Sequence, residues 1–121
     1  MGLVRRRGSG WTWEGVAPRA YEAGAERHVL VSAADGAGDV ELRYFRFPAG
    51  GASARERHPH EYAILVLHGR GEVLLGEAVH PVGEGDAVFV ESEELHQLRA
   101  LDHEALGFLC TALVARGPGT H

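Results

Sequence analysis

Two histidine-bearing stretches carry the groups best suited to chemistry. In the first, Glu56, His58 and His60 alternate through Arg55-Glu56-Arg57-His58-Pro59-His60-Glu61-Tyr62; in the second, His96 ends the run that begins at Gly85-Asp86 and passes through Glu91-Ser92-Glu93-Glu94. Imidazole and carboxylate are ligands that Zn, Fe, Mn and Ni all accept. Residues two apart on an extended strand project to the same side, so Glu56 and His58 would present their donors together. His60 continues that alternation if the chain stays extended past Pro59, and faces outward if Pro59 begins a turn. Tyr62 carries a phenol with an ordinary pKa of about 10, a weak ligand unless a metal lowers it, so coordination and simple lining of a cavity are both open to it.

The elements that must position these groups read as strands. Val40 to Phe47 alternates cleanly, with Val40, Leu42, Tyr44 and Arg46 on one face and Glu41, Arg43, Phe45 and Phe47 on the other. Ala63 to Leu67 and Ala87 to Val90 are short continuous apolar runs, expected to be strands buried on both faces. Gly69-Arg70-Gly71 turns the chain into a hairpin partner at Glu72 to Leu75. Strands are also expected at His28 to Val31, His96 to Leu101 and Leu106 to Ala115, while Trp11-Thr12-Trp13 either adds a short edge strand or covers the core from outside. No stretch of ten or more residues shows a helical stripe. The reading is a single all-β domain over residues 11–115, preceded by a flexible arm at 1–10 and followed by a tail at 116–121.

Composition narrows the classes of function. The 121 residues are 45% hydrophobic and 24% charged, ordinary for one globular domain, and the 17 glycines suit many tight turns. A formal charge of −5 argues against nonspecific nucleic-acid binding, and Arg5-Arg6-Arg7 is too small a basic run to reverse that. All twelve basic residues are arginine, so no phosphate loop ending in Lys-Ser or Lys-Thr exists, and no G-x-S-x-G elbow is present. The composition suits neither disorder nor a membrane span, and no apolar run follows the N-terminal arginines as in a signal peptide, which makes the cytoplasm the expected compartment. The single cysteine, Cys110, is expected to be a packed core thiol. His28, His68, His80, His103 and His121 are expected at the surface or on sheet edges.

Residues from about 40 to 114 resemble the cupin superfamily of small jelly-roll barrels, in particular its compact single-domain bacterial members. Its first motif has the form G-x5-H-x-H-x3-E-x6-G. Counted from Gly50, the ligand places fall on Glu56, His58 and Tyr62, and the last glycine on Gly69. The second, G-x5-P-x-G-x2-H-x3-N, counted from Gly85, places Glu91, Glu93, His96 and Ala100 at its proline, glycine, histidine and asparagine positions. Gly50, His58, Gly69, Gly85 and His96 agree with the family; Glu56, Tyr62, Glu91, Glu93 and Ala100 depart from it.

The resemblance implies a divalent metal inside a cupin jelly-roll β-barrel and transfers a ligand role directly to His58 and His96. Glu56 joins them on its own chemistry, with His60 or water completing the shell and Tyr62 as a pocket-lining alternative. Two histidines and a carboxylate with open positions suit a non-haem iron site. Two functions are therefore carried forward: a metal-dependent oxygenase or isomerase acting on a small organic molecule, and a non-catalytic sensor or storage cupin with a degenerate metal site. The family's habit of pairing through outer sheets implies a homodimer.

Overall fold

The computed structural model describes residues 2–113. Nine strands build it: β1 Arg19–Ala20, β2 Glu26–Val31, β3 Val40–Phe47, β4 Tyr62–His68, β5 Gly71–Leu75, β6 Ala78–Val82, β7 Ala87–Val90, β8 His96–Ala100 and β9 Leu106–Leu113. Two single-turn 3-10 helices, Glu22–Gly24 and Ala33–Asp35, join the early strands. One sheet has the order β1-β2-β3-β9-β4-β7 and the other β6-β5-β8, with antiparallel pairing between neighbours. Residues 52–56 run alongside β8 and extend the smaller sheet through bridges Ala52↔Arg99 and Glu56↔His96. This is the all-β architecture expected from the strand pattern, in the jelly-roll form that the resemblance implies.

The strand alternation decides what the two sheets enclose. Phe45 and Phe47 on β3, Ile64 and Val66 on β4, Val73 on β5, Leu98 on β8 and Phe108 on β9 are buried and form one continuous core. Phe108 stacks on Phe45 at 5.5 Å and meets Phe47 edge-on at 5.4 Å. Such pairs add about 0.5–1.5 kcal/mol each beyond simple burial. The apolar runs of β4 and β7 are one-sided rather than buried on both faces. Leu65 is 41% exposed and Phe89 54% exposed, because the outer side of an antiparallel sheet in a single chain has no covering layer there.

On the other flank the outer side is covered by the N-terminal segment. Arg5 pairs with Asp35 and donates to the Leu30 carbonyl at 2.9 Å, and Arg7 bridges Trp13, so part of the stretch read as a flexible arm lies against the sheet. Trp11 stacks on Tyr44 and His68, and Trp13 packs on Tyr44 and His28. The tryptophans thus cover the core from outside. His28, expected at the surface, is buried at 2% exposure under Trp13. His68 reaches the same layer because a register shift in the β4–β9 ladder between Val66 and His68 turns it to the outer face. There its Nε2 meets the Tyr44 hydroxyl at 2.6 Å, over the space left by Gly107.

This layer makes stability depend on pH. Burial pushes His28 below its ordinary value, with Glu26 opposing; burial and then Arg46 push His68 down, with Glu84 opposing. A histidine depressed in the folded state contributes stability above its unfolded pKa of about 6.5, and that contribution is lost as pH falls toward the folded value. Urea midpoints of metal-free protein should therefore fall between pH 7 and 5, and the fall should be shallower in His28→Gln. Parallel pH profiles for the two proteins would contradict it.

Candidate metal centre

Backbone pairing sets the first two groups opposite each other. Glu56 N–H donates to the His96 carbonyl at 3.2 Å and His96 N–H to the Glu56 carbonyl at 3.1 Å, a closed antiparallel pair. The loop between them in space is held by Glu93 N–H donating to the His58 carbonyl at 2.8 Å. Glu93 stands at the second motif's glycine position and keeps the left-handed backbone of that position, at φ 62°. The turn geometry thus survives the loss of its glycine, at a cost of roughly 1 kcal/mol.

Ligand atoms of Glu56, His58 and His96 all lie within 4.8 Å of one another. The His58 and His96 rings are 4.7 Å apart between centroids. Each ring has its Nδ1 against a backbone carbonyl, His60 O at 3.1 Å for His58 and Glu94 O at 2.9 Å for His96. A carbonyl only accepts, so each Nδ1 carries the proton and each Nε2 keeps its lone pair. A carbonyl on the far ring nitrogen is how proteins hold an imidazole with its other nitrogen free for a metal. His58 Nε2 is buried with no hydrogen-bond partner among the described residues. An orphaned buried acceptor costs about 1–3 kcal/mol unless something coordinates it. The donor set fits a divalent cation.

His60 does not join this group. The chain bends at Pro59, and His60 contributes its carbonyl to orient His58 while its ring lies 5.8 Å from the His58 ring. Tyr62 stays close, its ring 4.5 Å from His58 and 5.8 Å from His96, and it forms part of a cavity wall. His80 and His103 are exposed, as expected, and His121 lies outside the described residues.

The cavity beside the cluster lies between the sheets. Glu56, Tyr62 and His96 line it together with Tyr21, Arg43, Phe45 and Cys110. Arg43 and Cys110 were not singled out for function from sequence. For Arg43 the signal was present, since it shares the inward face of β3 with Phe45 and Phe47. Its guanidinium lies over the Tyr62 ring at 5.4 Å and the Phe45 ring at 5.5 Å, and donates to the Cys110 sulfur at 3.8 Å. Burial alone would lower the Arg43 pKa, but Cys110, Tyr62 and Glu41 together hold it above its ordinary value, so it stays charged. Burial raises the Cys110 thiol, with Arg43 opposing. Burial, and after it Glu56, raises the Tyr21 phenol.

Comparison with known proteins bears on the same residues. The Cupin domain family model matches residues 43–112, which span β3 to β9 and the whole cluster. The chain is 42% identical over 109 residues to the 1-methylthio-D-xylulose 5-phosphate methylsulfurylase of Rhodospirillum rubrum, covering 84% of this chain and 69% of that protein. Among solved structures it is similar to a cupin 2 conserved barrel domain protein from Rhodopseudomonas palustris, with 35% identity, a TM-score of 0.82 and coverage of 95% and 83% of the two chains. A cupin-2 domain structure from Rhodospirillum rubrum gives 38% identity, a TM-score of 0.81 and coverage of 93% and 79%.

Proposed function

The chain belongs to the cupin family, and from that premise we propose that it is a metal-dependent enzyme acting on a small phosphorylated, sulfur-bearing sugar like the one named for its Rhodospirillum rubrum relative. The observation that carries the reading is the convergence of Glu56, His58 and His96, with both imidazoles oriented through Nδ1, on the edge of a cavity. A divalent ion bound there, Zn, Fe, Mn or Ni, would supply Lewis-acid polarisation of a substrate oxygen. Three protein donors leave positions open for that oxygen. Tyr62 walls the cavity next to the cluster. Arg43 and Cys110 complete the wall, and Cys110 offers the chain's one thiol to a sulfur-bearing substrate. The relative's name favours sulfur chemistry on a sugar phosphate over oxygenation.

The same reading includes a homodimer and a cytoplasmic setting. The exposed apolar side chains Leu65, Phe89 and Leu113 on the outer side of β4, β7 and β9 are suited to pairing of two copies. No helix among the described residues is long and apolar enough to cross a membrane.

One preparation tests these points. Protein loaded in turn with each metal is incubated with 1-methylthio-D-xylulose 5-phosphate and a small thiol. Transfer of the methylthio group to the thiol sulfur, the thiol hydrogen going to the sugar carbon, is followed by mass spectrometry while light scattering reads the particle mass. Metal-dependent turnover by particles of twice the chain mass is expected. Binding without turnover under every metal would instead favour the non-catalytic sensor or storage reading, and single-chain mass would remove the dimer.

A further inference from the structure

Arg43 is a cation in the barrel interior, ion-paired to Glu41 without a direct hydrogen bond from its Nε. Its side chain is 13% exposed, and the carboxylate nearest its Nε, that of Glu41, stands 3.6 Å away, beyond hydrogen-bond distance. That Nε is buried and makes no hydrogen bond among the described residues. The remaining neighbours are the ring face of Phe45, the ring and hydroxyl of Tyr62, the hydroxyl accepting from the guanidinium, and the Cys110 sulfur. Ring faces stabilise a guanidinium and hold its plane, but they accept none of its N–H groups. A sulfur at 3.8 Å is a weak acceptor. The guanidinium is therefore charged and held in place, with an Nε that no neighbour among the described residues accepts from.

We propose that Arg43 is the oxyanion-recognising residue of this cavity. It takes the phosphate or carboxylate group of the substrate at the stretch of cavity wall it shares with Tyr62. Tyr62 neighbours both groups: its ring centroid lies 4.5 Å from that of His58 and 5.8 Å from that of His96, and the Arg43 guanidinium lies 5.4 Å from it. The cavity thus has a metal-binding end for a neutral or polarisable oxygen and a cationic end for a charged group. It selects small molecules that carry both. The planar fork of arginine suits this role better than an ammonium, because parallel N–H groups match two oxygens of a carboxylate or phosphate. Arg43 so placed is a specificity-determining residue. The assignment rests on the metal-dependent reading of the same cavity, yet the cationic end does not need the metal to bind an anion.

The test uses the full chain stripped of metal and titrated calorimetrically with inorganic phosphate and, separately, with acetate. Saturable binding of at least one anion is expected, weakened at least tenfold in Arg43→Gln. Glu41→Gln, which removes the nearest competing carboxylate from a partly exposed position, should tighten binding several-fold. That variant keeps the proposal open to refutation even if Arg43→Gln fails to fold. Absence of binding to either anion, equal binding by Arg43→Gln, or unchanged or weaker binding by Glu41→Gln would each overturn the proposal. His58→Ala separates the two readings: it should lose metal and retain the anion. If it keeps metal, the metal reading fails while the Arg43 result stands.

Discussion

His96→Ala should weaken divalent-metal binding by at least about 100-fold, because it removes one of three protein donors and the Nε2 lone pair that its Nδ1 contact with Glu94 preserves. The backbone pair between Glu56 and residue 96 stays in place, so the loss is one of coordination and not of fold. Deleting a buried imidazole, 3% exposed, should cost about 1–3 kcal/mol in the metal-free protein. His58→Ala should lose as much metal affinity with less effect on stability, since His58 is only half-buried on the loop after residue 56. Calorimetric titration of chelator-treated protein with Zn and Mn, paired with urea unfolding of the metal-free forms, separates these effects. Metal affinity within threefold of wild type in both variants would remove the site.

The second large effect concerns the frame. Gly69 closes β4 at φ +80°, and a Cβ built there runs into the carbonyl oxygen of Ala105, with Leu106 Cα also close. Backbone cannot yield as a side chain tip can. Gly69→Ala therefore combines left-handed strain with a backbone collision and should cost roughly 3 kcal/mol or more. Gly76, also left-handed at φ +64° but with nothing within 4 Å of its Cβ, provides the control. Gly76→Ala should cost about 1 kcal/mol, the strain alone. Equal losses in the two variants by urea unfolding would contradict the collision.

Most of the frame was legible because its side-chain period is short and local. Val40 to Phe47 alternates without interruption and is β3 residue for residue; Ala87 to Val90 is β7. Alternation also put Arg43 on the same face as Phe45 and Phe47, where it lines the cavity. What the chain conceals is non-local. His68 shares the parity of Ile64 and Val66, and only the shifted pairing of β4 with β9 sends it to the opposite face. His28 reads as an ordinary strand histidine until Trp13, fifteen residues earlier in the chain, folds over it. Ala78 to Val82 carries no clear strand pattern because it contains Pro81, yet it is β6, an edge strand on which a missing N–H is tolerated.

At the site, the spacing of the two motifs was enough to bring Glu56, His58 and His96 to one point. Whether the His60 ring joins them was not decidable from sequence, because Pro59 permits either an extended or a bent path. The bend turns the carbonyl of His60, rather than its ring, toward the cluster. A carbonyl in that role has no sequence signature at all, since every residue carries one.

The measurement closest to the central claim is anomalous diffraction at the Zn, Fe, Mn and Ni absorption edges from crystals grown with each ion. A single peak within bonding distance of the Glu56 carboxylate and of Nε2 on both His58 and His96 is the expected result. A peak elsewhere, or imidazoles that turn Nδ1 to the ion instead, would contradict it.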